Sequence, residues 1–193
     1  MLARLSTLLL AVLLALPFTR AFADDYSDTI KVFRDAGESA KFFRDSYGYA
    51  VFPTIGKGGF VIGAAHGSGR VYRKGAYVGD ASMTQVTVGA QLGGQAYSQI
   101  IFFQHKAAFD EFTSGNFEFG AQARAVAITA GASVGTGTTG TSASASGTYD
   151  KSTTVGGVYE NGMVTFTVAK GGLMYEATVG GQKLSFHPLH EKR

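Results

Sequence analysis

An α+β domain around an antiparallel sheet, with an amphipathic helix at the front and a short helix in the middle, is what this sequence predicts. Three observations carry it. Beyond Tyr49 the apolar residues recur mostly with a period of two, whereas 27–46 and 105–114 repeat at three and four. Glycine is abundant at 27 residues and proline scarce at 3, the composition of a β-protein with tight turns. Strands do not alternate regularly with helices, which argues against a doubly wound sheet.

The first 23 residues read as a leader. Arg4 supplies positive charge, Leu8 to Phe18 is an apolar run too short to span a bilayer, and Pro17 lies near its end. Ala21-Phe22-Ala23 then offers small residues at the two positions a signal peptidase reads, ahead of Asp24. The expectation is a cleavable signal peptide over 1–23 and a single domain over 24–193, exported to the periplasm, there soluble or peripheral on a membrane, or secreted. With Arg4 and Arg20 removed, 15 basic groups face 14 acidic ones, so the mature chain is almost neutral. No basic run is long enough for a nucleic-acid-binding face. Cysteine is absent, so no disulfide is expected.

Within the domain, Ser27 is placed to cap a helix over 27–46, with Ile30, Phe33, Ala36, Gly37, Ala40 and Phe43 on one stripe. Tyr49 to Phe52 reads as a short strand stopped by Pro53, and Gly56-Lys57-Gly58-Gly59 as a turn. A strand from Phe60 follows, then a tight turn at Gly67-Ser68-Gly69 and a strand over Arg70 to Arg73. Met83 to Leu92 and Gln95 to Phe103 flank Gly93-Gly94 as a hairpin. His105 to Ser114 is the second helix, with Ala108, Phe109 and Phe112 inward and Gly115 as its stop. Arg124 to Val134 alternates again. Residues 131–148 are Gly, Ser, Thr or Ala at 17 of 18 positions and read as a flexible loop. Glu160-Asn161-Gly162 joins two further strands in a hairpin, Leu173 to Val179 and Lys183 to Phe186 follow, and His187 to Arg193 reads as a tail.

Two catalytic patterns fail on context. Gly131-Ala132-Ser133-Val134-Gly135 has the form of a nucleophile elbow, with Asp150 and His187 downstream, but no helix follows it. Gly135 to Gly140 matches a dinucleotide fingerprint and also lacks its helix. The four histidines show no metal-ligand spacing and read as exposed or capping residues. The chain therefore reads as non-enzymatic, without cofactor or metal.

Surface charge is the remaining signal. Lys57, Arg70, Arg73 and Lys74 flank two strand–turn junctions expected at one end of the sheet, with Arg73 favoured over its neighbour Lys74. Lys31, Arg34, Lys41 and Arg44 lie on the front helix, interleaved with Asp35, Glu38 and Asp45. Lys31, Arg34 and Lys41 on such a helix suit a membrane surface, against the alternative of an ordinary solvated helix face.

Tyr49-Ala50-Val51-Phe52-Pro53, Gly56-Lys57-Gly58-Gly59-Phe60-Val61-Ile62-Gly63 and His66-Gly67-Ser68-Gly69 resemble the opening of the SYLF domain. Val86 to Gln95, Phe112-Thr113-Ser114-Gly115, Phe119-Gly120-Ala121 and Gly156-Gly157-Val158-Tyr159 resemble its later parts, so the likeness covers about residues 27–186. It implies binding of anionic lipids, with phosphoinositides the ligands of eukaryotic members, and no catalysis. Under that resemblance Lys57, Arg70 and Arg73 are the further basic positions expected to meet anionic phospholipid. Some eukaryotic members bind actin, a partner an exported protein does not meet in its own cell. The chain departs from the family in its 131–148 tract and in lacking the partner domains of eukaryotic members. The competing reading is a small outer-membrane β-barrel, disfavoured by the charged C-terminal residues and the front helix.

Overall fold

The computed structural model describes residues 19–59, 62–88, 95–121, 123–128, 157–170 and 179–189. The expected leader up to residue 18, the 131–148 tract, the Ser133 and Asp150 positions and the 173–178 segment lie outside them.

The front helix differs from expectation. Helix α1 (Thr19–Asp35) starts earlier, so Ser27 lies inside it, and the helical path then breaks into two single turns, α2 (Gly37–Ala40) and α3 (Phe42–Asp45). The break is local. Ala36 adopts extended backbone, and the buried Ser39 hydroxyl donates to the Phe33 carbonyl that α1 leaves open. The central helix agrees with its sequence: α4 (Lys106–Thr113) is capped by His105, whose Nδ1 accepts from the Ala108 amide at 3.2 Å, and it buries Ala108, Phe109 and Phe112.

Among the described residues eight strands form one sheet: β1 (Gly48–Gly59), β2 (Ile62–Arg73), β3 (Ala76–Val88), β4 (Gln95–Phe103), β5 (Asn116–Glu118), β6 (Val126–Ile128), β7 (Met163–Lys170) and β8 (Lys183–Pro188). Their order is β5-β8-β3-β2-β1-β4-β7-β6. All pairs are antiparallel except β6 with β7, so the sheet is mixed. Among the described residues β5 and β6 form the two edges and do not pair with each other, which gives the barrel reading no support.

Several turn and strand expectations are corrected. Pro53 does not end β1; the register slips between Val51 and Thr54 against β2, and this bulge accommodates a residue without an N–H. Gly56 to Gly59 and Gly67 to Gly69 lie inside strands. A Cβ on Gly67 would stand 2.6 Å from Ile55 Cγ1, and one on Gly69 2.6 Å from Phe52 Cδ1, so these glycines admit core side chains from β1. The turn between β2 and β3 is Lys74-Gly75, both at positive φ (50° and 83°), as the primed hairpin turns demand. Asn161 and Gly162 repeat that geometry before β7 and are closed by the Glu160–Met163 bridge, but residues 157–159 of the strand expected ahead of this turn are not strand, and the earlier part of that strand lies outside the described residues. No hairpin joins β3 to β4, because β2 and β1 lie between them. His187 and Pro188 belong to β8, not to a tail.

Both faces of the sheet carry a core. On face one, Phe52, Ile55, Val71, Met83, Ile101 and Phe103 pack with Phe109 and Phe112 of α4. A polar patch sits in this face: Gln99 and Gln182, both fully buried, exchange amide hydrogen bonds of 2.9 and 3.1 Å. On face two, Tyr49, Val51, Ile100, Phe102, Val164 and Phe166 pack beneath Phe33 of α1 and Phe42 of α3.

Candidate functional site

The six basic residues expected to act together are divided by the sheet. Lys57 lies on face one, opposite Ala65 on β2 and Gln95 on β4. Arg70 lies on face two, opposite Val51 and Asp80. Arg73 pairs with Gly48 and Ala76 at the other end of β2, eight residues beyond the Lys57 partner, or about 26 Å along the strand. Lys74 is a turn residue, and its ammonium lies 5.7 Å from the Tyr47 ring centre. The expectation of one basic end fails because strand residues alternate faces and the glycine segments taken for turns are strand.

Arg70 is a clamp. Its guanidinium lies 4.3 Å from the centre of the Tyr26 ring on α1 and 5.1 Å from that of Tyr77 on β3. Tyr77 in turn donates to Asp80 Oδ1 at 2.6 Å. These contacts hold α1 to the sheet. Burial and the Asp80 bond push the Tyr77 hydroxyl up to about 12. Burial, followed by the neighbouring Tyr72, does the same for Tyr49, whose ring stacks on that of Tyr72 at 4.9 Å.

The helical cations behave individually. Lys31 pairs with Asp35 one turn on, both exposed, and that hydrogen bond raises the ammonium above its usual value. Arg34 sits 5.0 Å over Phe43, and Lys41 5.0 Å over Phe42. The break at Ala36 means that Arg34 and Lys41 do not share one continuous helical face, yet both rest on adjacent rings.

Beyond the reach of the front helices, face two is bare among the described residues. Thr54, Gly56, Gly58, Ile62, Ala64, His66, Ser68, Thr84 and Val86 are all exposed there, Ile62 by 67% and Val86 by 71%. Lys170 on β7 borders this area and donates to Thr54 Oγ1 at 2.7 Å. Lys183 on β8 borders the other side, with Glu118 Oε2 3.8 Å away. Sequence reading missed both lysines, because only the strand order brings residues 170 and 183 to opposite margins of one surface. The available signal was the run Ala64, His66, Ser68 at alternate positions, too small and polar to be core.

A helix-backed open sheet with one bare, lysine-bordered surface defines a binding module. The family model described as Ysc84, Las17-binding protein actin regulator, matches residues 84–188, and the chain belongs to that family, the SYLF family. It is also similar to Beta cell expansion factor A of Aeromonas veronii, with 26% identity over 155 residues, 80% of this chain and 51% of that protein. The chain thus spans about half the length of this curated relative.

Proposed function

We propose that the chain is an exported, non-enzymatic module, mature from Asp24, that binds anionic membrane lipids. The observation that carries this reading is the bare half of face two, where among the described residues no acidic side chain stands between Lys170 and Lys183. Near an anionic surface each such cation contributes about 1 kcal/mol. Family membership supports a binding role, and the signal-like N-terminus supports export. That export favours lipid over the actin named in the family description.

The test uses protein recovered from the periplasm, whose intact mass should correspond to residues 24–193. Co-sedimentation with vesicles of neutral phosphatidylcholine, alone or mixed with an anionic phospholipid, is then compared at low and high salt. Pelleting should need the anionic lipid and weaken with salt, because exposed charges are screened within about 10 Å. Equal pelleting with neutral vesicles, or none with either, overturns the reading.

A further inference from the structure

The register of the bare surface is graded. One cross-strand row runs Lys170–Ala96–Gly56–His66–Thr84–Lys183 through six consecutive strands. Five strand spacings put its two lysine positions about 24 Å apart. On the side towards the helices lies a row of hydroxyls, Thr54–Ser68–Ser82–Ser185. On the other side the row Gly58–Ala64–Val86 leads to Ile62 at the strand ends. Successive rows are two residues apart, about 6.7 Å. The surface is therefore layered along the strands over about 20 Å: neutral hydroxyls, then a row ended by two ammonium groups and holding an imidazole, then aliphatic carbon.

We propose that this half-face docks obliquely on an anionic bilayer, with Ile62 and Val86 in the acyl boundary and the Lys170–Lys183 row level with the phosphates. The proposal rests on the lipid-binding reading above and gives it a surface and a depth. Such a gradient matches the layering of a membrane interface, where amphipathic elements bury their apolar part about 5–10 Å below the headgroups. The lysine-ended row complements lipid phosphates; Glu118, the one carboxylate placed against it among the described residues, lies outside Lys183. A protein partner fits less well. Gly56, Gly58 and Ala64 offer a flat surface without the aromatic anchors that dominate protein interfaces, whereas a fluid bilayer needs no shape match.

The chain has no cysteine, so single cysteines can carry an environment-sensitive fluorophore. Labels at Ile62→Cys and Val86→Cys should shift to the blue on anionic vesicles and be quenched by lipid-borne quenchers, while one at exposed Ser114→Cys should not. The unlabelled charge reversals Lys170→Glu and Lys183→Glu should each weaken pelleting about thirtyfold, since reversal doubles the charge change. Ile62→Ser with Val86→Ser, both at exposed positions and read against an unchanged circular-dichroism spectrum, should weaken it about as much. Labels that stay in water while the wild-type chain pellets would overturn this geometry and leave lipid binding standing. Blue shifts that arise without vesicles and scale with protein concentration would overturn it in favour of a second copy on this face. A wild-type chain that never pellets removes both readings.

Discussion

The two halves of face two share strand β1 and could hardly differ more. In the helix-covered half, β1, β4 and β7 present Tyr49, Val51, Phe102 and Phe166, sealed by Phe33 and Phe42. A few residues further along, β1, β2 and β3 present Gly56, Gly58, Ala64, Ser68 and Thr84 to solvent. Face one behind that bare half still holds Ile55 and Met83 at full burial. Alternation therefore says which face a residue takes, and side-chain size at successive same-face positions says whether anything covers it.

The sharpest way to break this contrast is to truncate matched positions. Phe102 is fully buried, with the Phe43 ring 4.9 Å and the Phe42 ring 5.6 Å away. Phe102→Ala should cost about 3–5 kcal/mol in urea unfolding, and Thr84→Ala less than about 0.5 kcal/mol. Comparable losses at both would mean that the bare half is covered after all.

A second contrast is chemical. Tyr49 and Tyr159 belong to the covered half and Tyr77 borders it against Tyr72, and burial, the largest cause in each, holds all three hydroxyls at about 12. In the unfolded chain they ionise near pH 10. Between pH 10 and 12 the unfolded state sheds protons that the folded state keeps, so stability is full below pH 10 and falls as the pH rises through that window. Thermal unfolding across the window should show the fall, and Tyr49→Phe should reduce its steepness. A flat profile would mean that these rings are hydrated.

The smallest effect belongs to the clamp. Arg70→Ala removes two cation–ring contacts and should cost about 1 kcal/mol, with faster amide exchange in α1 and no change in β7. Unchanged exchange in α1 would show that Phe33 alone holds the helix.

Much of this fold is legible because it is local. Helix α4 follows from Ala108, Phe109 and Phe112 at helical spacing, and the Asn161-Gly162 turn from residues that tolerate positive φ. What escaped depends on distant partners. Gly67 and Gly69 look like a turn until Ile55 and Phe52 are seen against them. Gly93-Gly94 suggests a hairpin only while β1 is not known to intervene. Lys57 and Arg70 part company for the same reason, and Lys170 and Lys183 meet one surface only through the order of six strands. The break at Ala36 hinges on a buried bond from Ser39 that helical periodicity does not reveal.

The position of β8 also sets an order of events in folding. Residues 183–188 slot between β3 and β5, elements roughly 70 to 110 positions earlier in the chain. Before they arrive, β1 already has both neighbours within reach in β2 and β4, while the outer side of β3 is an unpaired ladder of amides and carbonyls. Pairings between distant segments form slowly because the loop entropy must be met first, so this ladder stays open late. An open strand edge is a template for other chains. A polypeptide halted before Lys183 would hold a nearly finished sheet with one adhesive margin, and association between copies, rather than simple unfolding, is the hazard built into this topology.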